Sequence, residues 1–535
     1  MRTLAEGHPL LVRTLMRPEA YPEQVKRIRM LETHVSYLFF TGKTVYKVKK
    51  PVDYGFLDFT TLEKRHFYCL QEVVLNSRIS PQVYLGVVPI CEQDGSLKIE
   101  GTGPTVEYAV KMRQLRRKHA LNELLQDDQV SEDDIQRVAV TIANFHKEAV
   151  TGPDITRLGD LNAVRQNLEE NFQQMGNDID RCLSQEVFDN LLAYSRAFMD
   201  VKAGLFARRA KEGWVRDGHG DLHSANVFLE DLVHIIDCIE FNDRFRCLDV
   251  TEDIAFLAMD LDFYGRPDLS QVFVSAYEEE INDHGGSGLL DFFKSYRAQV
   301  RGMVAGLRLD DPSLSDHERR EILGTSQAYY RLAHSYTQKA HASPTLVLIA
   351  GLSGTGKTRI SRELAKRWEM VHISSDITRK GLAGMKAGDH RYKSYKEGIY
   401  SPEFTLLTYE SMYGQARQEL TQGNPVVLDA SFKKRSEREQ AVRIAGELGT
   451  DFFVIECTAQ ENEIRRRLNR RTQAGEETVS DARWEIYPQQ KADWEPIQEV
   501  PEDHYIHLDT SRPPQDTVRV LLQKVFARLL SHRHA

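Results

Sequence analysis

Two groups of residues in this chain have the types and spacing to handle phosphate. In RDGHGDLHSANVFLEDLVHIIDCIEFN, His219, Asp221 and Asn226 stand as H-x-D-x-x-x-x-N, and Asp237 follows a β-type run 16 positions beyond Asp221. A carboxylate at Asp221 can orient or deprotonate a hydroxyl, Asn226 and Asp237 offer hard oxygen donors for Mg²⁺, and His219 can brace the loop. In TLVLIAGLSGTGKTRISRELAKRW, Gly351, Gly356, Lys357 and Thr358 fill the pattern G-x-x-x-x-G-K-[ST]. Ser353, Gly354 and Thr355 complete that loop, whose glycines let successive N–H groups turn inward around phosphate oxygens. Lys357 would then reach the β- and γ-phosphates of ATP, and Thr358 would ligate Mg²⁺.

Further residues extend each group. After the glycine loop, VHISSDITRKGLAG places Asp376 and Arg379 just past a short β-type stretch, as a candidate base and a candidate substrate-binding cation. NPVVLDASF ends a second apolar strand at Asp429, which suits the Mg²⁺ shell. ENEIRRRLNRRTQAG concentrates Arg465, Arg466, Arg467, Arg470 and Arg471, either a lid over ATP phosphates or a solvated basic helix.

TGKT also occurs at Thr41 to Thr44, but the first glycine of the pattern would have to be Tyr37, and the alternating VYKVKK follows where a helix is needed. SYLFF, TGKT and VYKVKK therefore read as strand, turn and strand, with Gly42 in the turn. Val45, Lys47 and Lys49 point to one face, and either lysine could grip ATP phosphates if paired with Glu72 from the helical TLEKRHFYCLQEVVLNSRIS. A surface position is the other reading of Glu72.

The elements that must position these residues need more than one core. A chain of 535 residues is too long for a single ordinary core. A polar-faced helix running to about Ala342 sets an expected boundary between residues 1–342 and 343–535. Hydrophobic content of 41% and charged content of 28% describe a soluble globular protein, and no apolar run is long enough to span a bilayer. The N-terminal residues show no secretory pattern, so a cytoplasmic location is expected. Six cysteines without a C-x-x-C pair argue against zinc or disulfides. The net charge of −9 disfavours a nucleic-acid coat.

HGDLHSANV resembles the loop of the aminoglycoside phosphotransferase and choline-kinase superfamily, with DCIEFN standing where protein kinases have D-F-G. The resemblance implies an α+β protein-kinase-like fold, a small β-rich lobe over a helical lobe. It also implies structural acids at Asp249 and Asp253, which read equally well as capping or surface acids. No G-x-G-x-x-G is found. His146 reads as a packed histidine, and His223 as a residue shaping the loop. The second group resembles the P-loop kinases grouped with polynucleotide kinase, gluconate kinase and zeta toxins. That resemblance implies an α/β P-loop fold with a mainly parallel sheet, whose closing strand is HLDTSRPPQDTV. Together they resemble a bacterial two-domain family, an aminoglycoside phosphotransferase fused to an ATP-binding protein. The expected activity is phosphoryl transfer from ATP, with Mg²⁺, to small-molecule or nucleotide-type acceptors at two sites. A nucleotide-gated regulator and a nucleic-acid 5′-end kinase are the alternatives.

Overall fold

Alternating side chains near the N-terminus produce an antiparallel sheet with both faces covered. A computed structural model describes residues 9–55, 57–283, 285–338, 344–386, 396–474 and 483–532, the side chains of 471–474, 514 and 532 excepted. Strands β1 (Arg29–Glu32), β2 (Ser36–Phe40), β3 (Thr44–Lys49), β4 (Tyr84–Gln93), β5 (Ser96–Ile99) and β6 (Thr105–Arg113) form one sheet in the order β1-β2-β3-β6-β4-β5. In β3, Tyr46 and Val48 enter one apolar cluster with Phe39 and Ile90, while Val45 enters another with Cys69 and Val110. The first TGKT is the β2–β3 turn: Thr41 donates to the Thr44 carbonyl at 2.9 Å, and Gly42 takes a φ of +103°. The helix Leu62–Asn76, capped by the Thr61 hydroxyl on the Lys64 N–H, brings Glu72 against β3.

A helical lobe follows. Two short ribbons, β7 (Val215–Asp217) with β10 (Cys247–Asp249) and β8 (Val227–Leu229) with β9 (Val233–Ile235), flank the H-x-D loop. The helix Val250–Phe263 is buried from Val250 through Leu261, as an apolar sequence with few polar positions requires. The helices Glu132–Glu148 and Ser287–Leu307, with Asp316–Gln338 as far as Ala333, belong to the same lobe. This is the α+β kinase-like architecture.

Contacts divide the chain into two compact units: Met1–Asp178 with Ala203–Ala333, and Ile179–Lys202 with His334–Ala535. The sequence reading puts one cut between 342 and 343, whereas the contact grouping gives the helix Gln185–Val201 to the second unit. That helix packs on Pro514–His532, with the Tyr194 and Phe526 rings 5.6 Å apart and Arg519 Nε 2.7 Å from Asp189.

The second unit is built on β11 (Thr345–Ala350), β12 (Val371–Ser374), β13 (Val426–Asp429), β14 (Asp451–Thr458) and β15 (Tyr505–Asp509), all paired in parallel in the order β12-β13-β11-β14-β15. Buried on both faces, β11 and β13 read as continuous apolar runs. This is the α/β P-loop architecture. Among the described residues no helix is long and apolar enough to cross a membrane.

Candidate functional site

In the first unit, β3 presents two lysines to one face because residues two apart on a strand share a side. Lys47 Nζ lies 2.5 Å from Asp237 Oδ1 and 2.8 Å from Glu72 Oε1. Lys49 pairs with the other Glu72 oxygen at 2.7 Å and with Glu240. Glu72 is 0% exposed, which removes its reading as a surface acid. Burial opposes charge on Lys47, but Asp237, Glu72 and Glu240 overcome it and raise the lysine well above its ordinary pKa. Burial raises Glu240 above the usual carboxylate value, whereas Lys47 and Lys49 pull Glu72 below it against the same burial. Lys47, not Lys49, faces the half-exposed Asp237, so the geometry separates two lysines that alternation leaves equivalent.

The H-x-D loop is held from below. Asp253 accepts the His219 and Gly220 N–H groups at 2.7 and 3.0 Å and lies 3.1 Å from His146 Nε2. Burial works against its ionisation, yet His146 and these donors lower its pKa to about 2. Asp249 instead caps Val250–Phe263 and pairs with the buried Arg209 at 2.7 Å. His219 bridges the loop: its Nδ1 accepts from the Asp221 N–H at 3.2 Å, and Nε2 donates to the Ile236 carbonyl at 3.0 Å. Asn226 Nδ2 donates to the Asp221 carbonyl at 3.0 Å, leaving its amide oxygen as a donor for a cation. Burial disfavours the charge on Asp221, and His223, then Arg301 and His219, reverse this to hold its carboxyl well below the usual range. Asp237 sits at a φ of +66°, its N–H donating to the Tyr84 hydroxyl at 3.1 Å, a conformation that costs roughly 1–3 kcal/mol unless its surroundings fix it.

In the second unit the loop Gly351 to Gly356 joins β11 to the helix Lys357–Arg367. At Gly351, φ is +140°, and a Cβ would stand 2.4 Å from the Cys457 carbonyl oxygen, so only glycine fits. Thr355 turns its hydroxyl to the Leu352 carbonyl at 2.7 Å, and Lys357 Nζ lies 2.9 Å from that same oxygen. The strand register brings Ile349, Ser374 and Asp429 level, which puts Asp429, Asp376 and Arg379 beyond the carboxyl ends of the strands. All three line one cavity of about 730 Å³ together with Ser353, Gly354, Gly356, Lys357 and Thr358. Arg379 is 6% exposed, donates Nη1 to the Ile399 carbonyl at 2.7 Å, and has a buried Nε without a hydrogen-bond partner.

The AAA domain family matches residues 346–496. Uncharacterized protein Rv2004c of Mycobacterium tuberculosis (strain ATCC 25618 / H37Rv) is 30% identical over 497 residues, covering 92% of this chain and 94% of that protein. The chain belongs to that protein's family. It joins a kinase-like two-lobed unit to a P-loop AAA domain, as the sequence resemblance implied. Among solved structures, the GDP complex of wild-type aminoglycoside 2'-phosphotransferase-IIIa is 15% identical, covers 61% of this chain and 99% of its own, and has a TM-score of 0.39. A gluconokinase from Sinorhizobium meliloti 1021 is 17% identical, covers 36% of this chain and 95% of its own, and has a TM-score of 0.25.

In this family member the arginine run divides by position. Arg467 reaches the loop, with Nη2 2.7 Å from the Thr510 carbonyl and Nη1 3.4 Å from that of Gly354. Arg466 pairs with Glu463 at the surface, and the side chain of Arg471 lies outside the described ones. Sequence reasoning missed Glu240, three residues beyond Asp237 in DCIEFN, and Lys433, Lys434 and Glu437, which line the cavity just after Asp429. The pair of lysines in DASFKKRSER was the available signal. For Glu240 the spacing from Asp237 carried none, because only the fold brings Lys49 to it.

Proposed function

We propose that the chain is an ATP- and Mg²⁺-dependent phosphotransferase with two separate sites, each moving the γ-phosphoryl group to an acceptor hydroxyl. The observation that carries the reading is the meeting of Lys47, Glu72 and Asp237 beside the loop that bears Asp221 and Asn226. Lysine, helix glutamate, loop base and metal-binding pair are the parts that phosphoryl transfer requires. Lys47 would hold nucleotide phosphates, and Lys49 keeps Glu72 and Glu240 in place.

The donor set fits Mg²⁺. Three carboxylates, Glu72, Asp237 and Glu240, face two lysines, which leaves negative charge for a cation. Among the described residues no cluster of three or more His, Cys, Asp or Glu forms a metal cage, and Mg²⁺ in such sites is held by one or two carboxylates plus substrate phosphates. Asn226 and Asp237 would hold it in the first unit, and Thr358 and Asp429 in the second. When bound, Mg²⁺ neutralises phosphate charge as the transferred group moves. Asp221 orients the acceptor hydroxyl and takes its proton late, as a weak base does. In the second unit the loop N–H groups and Lys357 cradle the phosphates, Asp376 faces the hydroxyl, and the Nε edge of Arg379 suits an acceptor that carries its own anionic group.

Asp221→Asn and Asp376→Asn, made singly and together in the full chain, test this with labelled ATP and a panel of hydroxyl acceptors. Each single variant is expected to lose transfer to its own acceptor by roughly 10²–10⁴-fold while keeping the other. Wild-type transfer by the double variant would overturn the reading.

A further inference from the structure

In the first unit, the surroundings of Asp221 have a charge that the proposed transfer does not explain. Arg301, on the helix Ser287–Leu307, is one of the cationic groups that hold Asp221 ionised. It is partly buried and forms no ion pair among the described residues, and its Nε is shielded from solvent without a hydrogen-bond partner. Asp260 and Asp221 act on it through space, but neither forms a salt bridge with it, so its guanidinium keeps capacity for a direct anionic partner.

The neighbouring acid is already engaged. Asp260 accepts the Ser224 N–H at 2.9 Å through Oδ2 and the Tyr329 hydroxyl at 3.0 Å through Oδ1. Tyr329 stacks on Phe263 with ring centroids 3.9 Å apart, and the Arg301 guanidinium lies over the Tyr329 ring at 5.4 Å. The tyrosine is thus held from two sides, and with it the arginine above it. Since Ser224 is three residues past Asp221, the same chain of contacts fixes Arg301 relative to the loop that carries the base. Of the basic groups that act on Asp221, Arg301 is the one that stays charged at every working pH. A polycationic acceptor would meet repulsion there, while an anionic acceptor would find a prepared partner.

We propose that the first unit phosphorylates a hydroxyl of an acceptor that already bears a phosphate or carboxylate, and that Arg301 binds this anionic group. This inference rests on the phosphotransferase reading of the same site. The acceptor hydroxyl gives its proton to Asp221 and then to solvent. Its oxygen bonds to the γ-phosphorus of ATP, the bond from that phosphorus to the β,γ-bridging oxygen breaks, and ADP leaves with the electron pair.

The test uses the full chain carrying Asp376→Asn, so that transfer reports on the first unit. Acceptors are offered in matched sets: a neutral polyol, its phosphate ester, its carboxylic acid and a polycationic amino sugar. Transfer to the phosphate ester, the acid or both is expected to exceed transfer to the neutral and cationic members, and which of the two is better identifies the anion. Arg301→Gln should raise KM for the anionic acceptor about tenfold or more with a smaller change in kcat, and leave KM for the neutral acceptor unchanged. Arg301→Lys should recover part of the loss. Equal effects of Arg301→Gln on neutral and anionic acceptors, or efficient transfer to the amino sugar, would overturn the anion-binding role and leave the phosphotransferase reading intact. The absence of Asp221-dependent transfer to every acceptor would overturn both.

Discussion

The two TGKT tetrapeptides have identical side chains and opposite fates. At Thr355 to Thr358 the segment closes a glycine loop and starts a helix. At Thr41 to Thr44 it turns one strand into the next, and Lys43 is exposed. The sites around them differ in the same way. The second unit holds its candidate phosphate site with backbone: consecutive residues whose dihedrals glycine permits, placed at the ends of parallel strands. The first unit holds its site with buried charge, bringing Lys47, Glu72, Asp237 and Glu240 from a strand, a helix and a loop. A backbone cradle keeps its form when one side chain changes. A buried ion cluster does not, because each charge depends on the others.

That contrast breaks most visibly at Glu72. Glu72→Ala leaves two buried ammonium groups short of a partner and is expected to destabilise the first unit by about 3–5 kcal/mol, read as an early unfolding transition in urea. An unchanged transition would mean that the cluster is not what holds the lobe. Lys357→Ala is the matching change in the second unit, and there the loss is functional: roughly 10²–10³-fold in transfer by that site, with the unfolding curve unmoved. Lys43→Ala, in the other TGKT, should shift neither activity nor stability by more than about 0.5 kcal/mol. A reversed pair would erase the distinction between loop and turn.

The smallest expected effect sharpens the comparison through pH. Burial pushes His219 below its usual value of 6.5, against Asp253, Asp221, Asp237 and the Ile236 carbonyl, which all favour the charged ring. Its contribution to stability is therefore fully present above pH 6.5 and is lost as pH falls from 6.5 through the lower folded value. Thermal melts of the first unit's transition should drop by about 2–4 °C over that interval, and by less in His219→Asn.

Much of both sites was legible because their motifs are local. H-x-D-x-x-x-x-N and the glycine loop each bind several groups through one short run of backbone, so residue types and spacing carry the geometry. Glu72 was legible as a partner for β3 because the helix that bears it has a clear period, although its burial was not. Arg379 was read beside Asp376, and the two line one cavity, but the bonds that hold Arg379 come from Ile399 and Thr405, which no spacing connects to it.

By itself, then, the sequence determined where backbone must turn, where a strand must give way to a helix, and which short runs could surround a phosphate, since these depend on the dihedral freedom and periodicity of neighbouring residues. Only the tertiary structure decided that Lys47 and not Lys49 meets Asp237, that Asp253 supports the loop while Asp249 goes to Arg209, that Gln185–Val201 packs in the second unit, and that Arg301 stands with an orphaned Nε near the base. Each of these turns on which distant charge or apolar face is brought out of water beside another. That free energy depends on the whole packed surroundings, and no local window of residues contains it.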